Sequence, residues 1–255
     1  RDENFSPASP HTEAGYYADR ASRVQCVQYH GSTSIFASDV EAFTALADNP
    51  HVFGMYFTQT PPIAHDKVFL VPLGVDMHEY VPSLRLRLEE DPSLRNRSRT
   101  ALYEVSHNLE IPYRRDVFRV VQENFAPEPL RVRHLMWAFG QRMEGIVEEC
   151  MQAVFSQSPI GVGENCFRHG EVLLAGSIPV VQASIGVASL RYLPHLAVSS
   201  WREVTPEMLS GSYQAIWDKV RAGYYSLEPL TNHFWHKHID DIARGRPLDP
   251  FYAKF

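Results

Sequence analysis

The sequence lacks long hydrophobic runs and has little cysteine, and each absence excludes a class of protein. It has no run of about 18 apolar residues, the length that a membrane-spanning helix needs. Its three cysteines include no Cys-x-x-Cys spacing, so we expect buried or free thiols, with one disulfide and one remaining thiol as the alternative. These features predict a soluble globular protein without membrane contact in this chain.

The sequence also lacks a large excess of positive or negative charge. The net charge is −6 at pH 7, so the sequence lacks the broad basic surface that is typical of nucleic-acid binding. Apolar residues make up 44% of the 255 positions and charged residues 21%, a balance that can fill the core of one large domain or two small ones. The compartment stays open: we expect the Golgi or secretory lumen if a targeting segment has been removed, and the cytoplasm otherwise.

Strand patterns that alternate with helical patterns predict a parallel α/β sheet. We expect the stretch 82–100 to be an Arg-rich surface excursion with a helical turn at most. Expected strands cover 23–31, 32–40, 51–59, 66–76, 101–107, 153–159, the segment ending at Val181, and 196–201. Expected helices cover 41–50, 113–125, one or two within 135–155, one from Arg168, one after the N-cap Thr205, and one that begins at Thr231 or Asn232.

These elements divide the chain into four parts. A polar lead-in covers residues 1–22, an N-terminal α/β half covers 23–128, and a C-terminal half covers 129–230. The remaining segment, 231–255, is an expected helix that packs back toward the N-terminal half. The two halves meet at a proline-containing stretch that is a plausible hinge.

The segment 158–181, SPIGVGENCFRHGEVLLAGSIPVV, has a glycine-rich loop directly before a helix. Gly161 and Gly163 leave backbone N–H groups accessible, and the helix N-terminus adds the positive end of its dipole, which together favour an anion. Arg168 can grip phosphate oxygens in a bidentate manner, and Glu171 can accept two hydrogen bonds from ribose hydroxyls. The residues therefore predict a nucleoside diphosphate site. The alternative is tight helix–sheet packing, with Arg168 and Glu171 in a surface ion pair.

From Phe155 onward the chain resembles the nucleotide-sugar half of exostosin-like glycosyltransferases. In that family a Ser-Pro segment with two glycines is followed by an Arg, by a Glu three residues later, and by Gly-x-Ile-Pro-Val. Weaker similarity extends in order over roughly 33–217 and includes a Pro-x-Gly turn at Pro72 and Gly74 and the helix entry YRRDVF. The matching residues of the second half are Ser158, Pro159, Gly161, Gly163, Arg168, Glu171, Gly176, Ile178, Pro179, Val180, Leu193, Pro194, Trp201, Glu203, Val204 and Thr205.

The resemblance implies a GT-B fold, in which two Rossmann-like halves with parallel sheets face each other across a cleft. It implies an inverting glycosyltransferase that moves a sugar from a nucleotide sugar, a UDP-sugar, to a glycan or glycoprotein acceptor bound by the N-terminal half. The alternative is a catalytically inactive GT-B domain that binds glycan or supports a partner enzyme. The donor-binding residues it implies are Arg114, Arg115, Ser158, Gly161, Gly163, Arg168, His169 and Glu171.

The sequence contains no Asp-x-Asp triplet, the motif with which glycosyltransferases of the other common fold hold a divalent metal. We therefore expect no metal cofactor, with the diphosphate neutralised by backbone dipoles and arginine side chains. Glu164 would bring negative charge close to the phosphates, so we expect it to point away from them or toward acceptor hydroxyls.

An inverting transfer needs a base that removes a proton from the acceptor hydroxyl. Asp39 is our candidate, because it is expected at the carboxyl end of the strand 32–40, where α/β folds place their chemistry, and because SIFASD resembles the family's strand that ends in Ser-Asp. Its alternative role is to cap the following helix. His30, Asp76 and His78 are rival bases at the ends of neighbouring strands.

Overall fold

The computed structural model of this chain describes residues 37–96, 98–105, 107, 111–125, 131–132, 143–161 and 163–246. The lead-in, the predicted strand 23–31 with His30, and the first part of the predicted strand 32–40 lie outside the described residues. Within the described part of the chain, no helix combines the length and apolar character needed to cross a membrane.

Seven strands and seven α-helices alternate through the described part of the chain. The strands are β1 Met55–Phe57, β2 Val68–Leu70, β3 Ala101–Val105, β4 Arg131–Val132, β5 Ala153–Gln157, β6 Ile178–Gln182 and β7 Leu196–Val198. The helices are α1 Ala37–Asp48, α2 Tyr80–Glu90, α3 Pro112–Asn124, α4 Met143–Gln152, α5 Phe167–Leu174, α6 Pro206–Arg221 and α7 Asn232–Ala243.

All the strand pairs among the described residues are parallel and belong to two sheets. β1 and β2 form a two-stranded sheet, and the larger sheet has five strands in the order β4-β3-β5-β6-β7. The predicted α/β class with parallel sheets is therefore confirmed. The larger sheet crosses the boundary predicted between the parts 23–128 and 129–230, since Glu104 of β3 lies opposite Ser156 of β5.

The strand order of the larger sheet places a reversal at its centre. From β3 the chain adds β4 on one side, and then returns to add β5 on the other side. Helices α3 and α5, which follow β3 and β5 in the chain, lie on opposite faces of the sheet, and open α/β sheets bind their ligands in the crevice at such a reversal. The glycine-rich loop follows β5 directly, so the fold places it at this reversal.

The two faces of the larger sheet are covered by different helices. On one face, α3 and α6 pack on an apolar cluster that includes Phe155 and Val180. On the other face, Cys150 of α4 and Arg168 of α5 both contact Glu104 of β3. Apolar Tyr103 and polar Glu104 of β3 thus lie on opposite faces, as do Phe155 and Ser156 of β5, because successive strand residues point to opposite faces.

Residues 80–90 form helix α2, so the prediction of a surface excursion with one helical turn at most over 82–100 is wrong. Tyr80, Leu84 and Leu88 recur every four residues and pack in one cluster with α4 and α5. Pro82 lies in the first turn, where a helix does not need its backbone N–H. The apolar stripe has only one residue per turn, and arginines lie between its positions. The sequence pattern therefore did not predict a helix.

Asp39 is the third residue of α1, so the prediction that it stands at the end of a strand is wrong. The helix begins two residues before it, and the position of an N-cap is therefore also excluded. The side chain of Asp39 lies outside the described residues. Its proposed role as the base stays a prediction.

Two threonines begin the last long helices as their sequences indicate. The Thr205 hydroxyl accepts a hydrogen bond from the Met208 backbone N–H at 3.2 Å, and the Thr231 hydroxyl accepts one from Phe234 at 3.3 Å. The choice between Thr231 and Asn232 as N-cap is thereby decided in favour of the threonine.

Helix α7 packs against the two-stranded sheet through aromatic rings. The buried imidazole of His238 lies 4.7 Å from the Phe69 ring and 5.6 Å from the rings of Tyr56 and Trp235, measured between centroids. Burial lowers the pKa of His238 to about 4. The ring is therefore neutral at pH 7 and acts as part of the aromatic packing that holds the C-terminal helix on β1 and β2.

Candidate functional site

The glycine-rich loop lies at the carboxyl edge of β5 and is largely buried. The Ser158 N–H donates to the Val180 carbonyl at 2.9 Å, which continues the pairing with β6 for one residue beyond the strand. The Gly161 N–H donates to the Gly163 carbonyl at 3.0 Å and closes the loop on itself. Two backbone hydrogen bonds thus hold the loop between β5 and the N-terminus of α5.

Arg114 lies on this loop and comes from the first turn of α3. Its Nε donates to the Ile160 carbonyl at 2.9 Å. A Cβ atom at Gly161 would lie 2.8 Å from Nη2 of the same guanidinium, so the glycine is needed for this close approach. Burial lowers the pKa of Arg114, because water solvates the guanidinium incompletely. An anion at the loop would restore part of that lost solvation.

Arg168 points into the protein and pairs with a carboxylate of the sheet. Its Nη2 lies 3.0 Å from Oε1 of Glu104, with side-chain exposures of 8% and 2%. Burial alone would lower the pKa of Arg168, but the adjacent Glu104 carboxylate contributes to raising it above its ordinary value. The alternative of a surface ion pair between Arg168 and Glu171 is therefore wrong, and a role for Arg168 at the phosphate stays a prediction.

His169 fastens helix α5 to the loop. Its Nδ1 lies 2.7 Å from the Ser158 hydroxyl and its Nε2 lies 3.1 Å from the Glu164 carbonyl. Because a carbonyl only accepts, Nε2 carries a proton, and the second hydrogen bond is shared between Nδ1 and the hydroxyl. Ser158 and His169, two of the predicted donor-binding residues, are thus brought into direct contact.

The two-stranded sheet holds the second half of the loop. The Gln59 side-chain amide, which follows β1, donates to the Asn165 carbonyl at 2.7 Å and accepts from the Asn165 N–H at 3.1 Å. A Cβ atom at Gly163 would overlap the Gln59 side chain. The absence of a side chain at Gly163 therefore allows Gln59 to approach, and the Gln59 side chain covers one side of the Gly163 backbone. This role differs from the open phosphate contact that the sequence predicted.

Glu164 points away from the start of α5. Its carboxylate accepts hydrogen bonds from the Thr60 hydroxyl and from the Gly186 N–H, the latter at 2.8 Å. The negative charge is thereby directed to the two-stranded sheet and the 3₁₀ turn Gly186–Leu190. This is the first of the two orientations that the sequence suggested.

Glu171 is buried where α5 meets the segment before α2. Burial raises the pKa of the Glu171 carboxyl group, and the charge of Arg168 lowers it. The charge of Asp76 raises this pKa, whereas a hydrogen bond with the Asp76 backbone lowers it. The net pKa of Glu171 lies above its ordinary value. Asp76 itself accepts from the N–H groups of His78 and Glu79 at 2.7 and 3.1 Å, so this rival base begins the turn that leads into α2.

Gln157 adds a polar group at the reversal of the sheet. It ends β5, is fully buried, and neither atom of its side-chain amide has a hydrogen-bond partner within the described part of the chain. Leaving such a group unpaired costs about 1–3 kcal/mol. A buried amide of this kind is typical of a position that a bound polar molecule or water completes.

Substitution of Gly170 by alanine is expected to lower the free energy of unfolding by about 1–3 kcal/mol. Its added Cβ would overlap the Gly74 carbonyl oxygen and lie 2.8 Å from Cγ1 of Val75, so α5 has to move away from that turn. Gly211→Ala is the matched control, because a Cβ there meets nothing within 4 Å in the interior of α6. The control is expected to gain about 0.5–1 kcal/mol.

Chemical denaturation of the two glycine variants measures the difference. Equal stabilities of Gly170→Ala and Gly211→Ala would contradict the close contact between α5 and Gly74. The contact explains why a glycine stands between His169 and Glu171.

Several residues of this region were not predicted from the sequence, and one predicted residue lies away from the loop. Arg115 is exposed on α3, while its neighbour Arg114 lies on the loop. Gln59 and Asn165 gave no sequence signal, because a pairing across 106 positions has no local pattern. Gln182 at the end of β6 accepts from the Tyr113 hydroxyl, another contact between elements far apart in the sequence.

Among the described residues, no three His, Cys, Asp or Glu side chains form a group that could hold a metal ion.

Comparison with known proteins adds no family to these observations. No protein-family model matches the chain, and no curated protein matches it.

Proposed function

We propose that this chain is an exostosin-like glycosyltransferase of GT-B architecture that binds the diphosphate of a nucleotide sugar, a UDP-sugar, at the loop between β5 and α5. The observation that supports this most strongly is the half-buried guanidinium of Arg114, held over Gly161 by the Ile160 carbonyl. A partly desolvated cation at the sheet reversal, beside a helix N-terminus, is suited to an anionic ligand.

Within this proposal the donor lies across the carboxyl edge of the larger sheet. Arg114 and the loop backbone bind the diphosphate, and Ser158 and His169 keep the loop in shape. Glu171 remains the proposed ribose contact. Arg168 stabilises the site indirectly, because its guanidinium pairs with Glu104 in the protein interior.

We propose that the transfer is inverting and needs no divalent metal. The missing Asp-x-Asp triplet and the position of the Arg114 guanidinium on the loop support this proposal. The acceptor is a glycan or glycoprotein, and Asp39 is the proposed base. Slow release of UDP from a UDP-sugar without acceptor, measured in EDTA, tests the metal-free assignment. Turnover that is lost in EDTA and restored by manganese or magnesium would contradict it.

A second candidate function is a GT-B domain that binds nucleotide or glycan without catalysis. Its support is the contact of Gln59 and Thr60 with the loop, which covers Gly163 and ties the loop to the two-stranded sheet. UDP binding without any donor hydrolysis, under conditions where the fold is intact, would favour this inactive form.

Arg114→Ala is expected to weaken UDP binding by about 1.5–3 kcal/mol, the contribution of hydrogen bonds to a charged group. This corresponds to an increase of about 10- to 150-fold in Kd. Arg115→Ala is the matched control, because it removes the same charge from an exposed position one residue away. Titration calorimetry with UDP measures both Kd values.

The melting temperature of each variant separates binding from folding. Unchanged UDP affinity in a folded Arg114→Ala would remove the proposed phosphate contact. A larger loss of affinity in Arg115→Ala than in Arg114→Ala would assign the contact to the other arginine of the predicted pair.

A further inference from the structure

Cys166 stands at the start of α5 and contacts an imidazole. It is the N-cap residue of the helix and is partly exposed. Its Sγ lies 3.8 Å from Nδ1 and 3.7 Å from Nε2 of His169. Both ring nitrogens also have oxygen partners, the Ser158 hydroxyl and the Glu164 carbonyl, so the ring is fixed next to the sulfur.

The charges around this sulfur are mostly positive. Arg114 of α3 lies on the opposite side of Gly161, where an added Cβ would be 2.8 Å from Nη2 and 3.9 Å from the Cβ of Cys166. From α5 itself come the helix N-terminus, His169 and the buried Arg168. The nearby carboxylates are directed elsewhere, Glu164 toward Thr60 and Gly186, and Glu171 toward Asp76.

This environment favours a thiolate. Burial raises the pKa of the Cys166 thiol, but the charge and hydrogen bond of His169 and the charge of Arg114 outweigh it, and the net pKa is lowered. The pKa of His169 is correspondingly raised by Cys166 against the effect of burial. Cys150 offers a contrast within the same chain, because burial raises the pKa of its thiol to about 12. Thiolates at helix N-termini and next to His or Arg are the reactive ones.

We propose that Cys166 and His169 form a thiolate–imidazolium pair that makes Cys166 a site of covalent modification by peroxides and other soft electrophiles. The proposal does not depend on the glycosyltransferase function. In the peroxide reaction, the sulfur attacks one peroxide oxygen, an S–O bond forms and the O–O bond breaks. The leaving hydroxide takes the proton of the His169 imidazolium, so the products are a sulfenic acid, neutral imidazole and water.

The test is alkylation of the intact folded chain by iodoacetamide between pH 5 and 9, followed by residue-resolved mass spectrometry. In this reaction an S–C bond forms and iodide leaves. The rate at Cys166 is expected to reach half its maximum below pH 8.5, the ordinary thiol value. Cys150 is the internal control and should stay unmodified, which also shows that the fold is intact. Dimedone added with hydrogen peroxide should label Cys166 and leave Cys150 unlabelled.

His169→Gln is the variant that tests the pair. Without the imidazolium, the pH profile of Cys166 should move toward the ordinary thiol value, and its alkylation rate at pH 6.5 should fall by about tenfold. If this variant does not fold, the profile of the unaltered chain decides by itself. A midpoint for Cys166 at or above about 8.5 would overturn the proposal. So would a rate equal to that of Cys150, or an unchanged profile in folded His169→Gln.

Discussion

Arg168→Ala is expected to lower the free energy of unfolding by about 3–5 kcal/mol, the usual result of removing one partner of a buried ion pair. The guanidinium and the Glu104 carboxylate are 3.0 Å apart, with side-chain exposures of 8% and 2%. Without Arg168, the Glu104 charge stays buried on β3, an interior strand of the larger sheet. Equilibrium denaturation measures the loss.

Two controls show whether the buried charge is the cause. The double variant Glu104→Leu with Arg168→Met removes both charges and should lose much less than the single variant, because no uncompensated ion remains. Arg85→Ala breaks a surface pair whose side chains are 79% and 59% exposed, and should cost no more than about 1 kcal/mol. An Arg168→Ala protein as stable as Arg85→Ala would show that Arg168 is free to face a ligand.

Asp39→Asn is expected to lower turnover by about 10²- to 10⁴-fold, the usual contribution of a positioned general base. UDP affinity should be unchanged, because the proposed phosphate contacts lie on the loop after β5. Asp39 is the third residue of α1, and asparagine preserves the size of its side chain. The neutral amide should therefore reduce stability by no more than about 1 kcal/mol.

Glu41→Gln is the matched control, since it makes the same change of charge at an exposed position of the same helix. It should leave turnover unaffected. If Asp39→Asn transfers sugar at nearly the normal rate, Asp39 is not the base. His30 and Asp76 are then the next candidates, and Asp76 is the less suited of the two because its carboxylate accepts two backbone N–H groups.

The sequence by itself determined the elements whose patterns are local. Apolar patterns predicted α3 and four strands of the larger sheet, β3, β5, β6 and β7, whereas the short strand β4 was not predicted. Thr205 and Pro206 predicted the start of α6. Caps and periodicity depend on residues within a few positions of each other, so they can be recognised without knowing the fold. Local reasoning failed at α2 and Asp39. In α2 the helix packs a narrow stripe on α4 and α5, which lie far away in sequence.

The candidate site was predicted only in part for the same reason. The position of the glycine loop between β5 and α5 followed from the sequence. The direction of each side chain did not follow. Arg168 was expected to face the ligand, and the tertiary structure turns it toward Glu104, because β3 lies next to β5 and presents a buried carboxylate there.

The tertiary structure alone decided which charges meet at the loop. Arg114 reaches Gly161 because α3 begins at the carboxyl edge of the sheet, and Gln59 covers Gly163 because the two-stranded sheet packs against the same loop. Each of these contacts joins segments separated by tens of residues, and its geometry depends on strand order and helix packing. A sequence pattern reports spacing along the chain, whereas burial, ion pairing and pKa depend on distances in space.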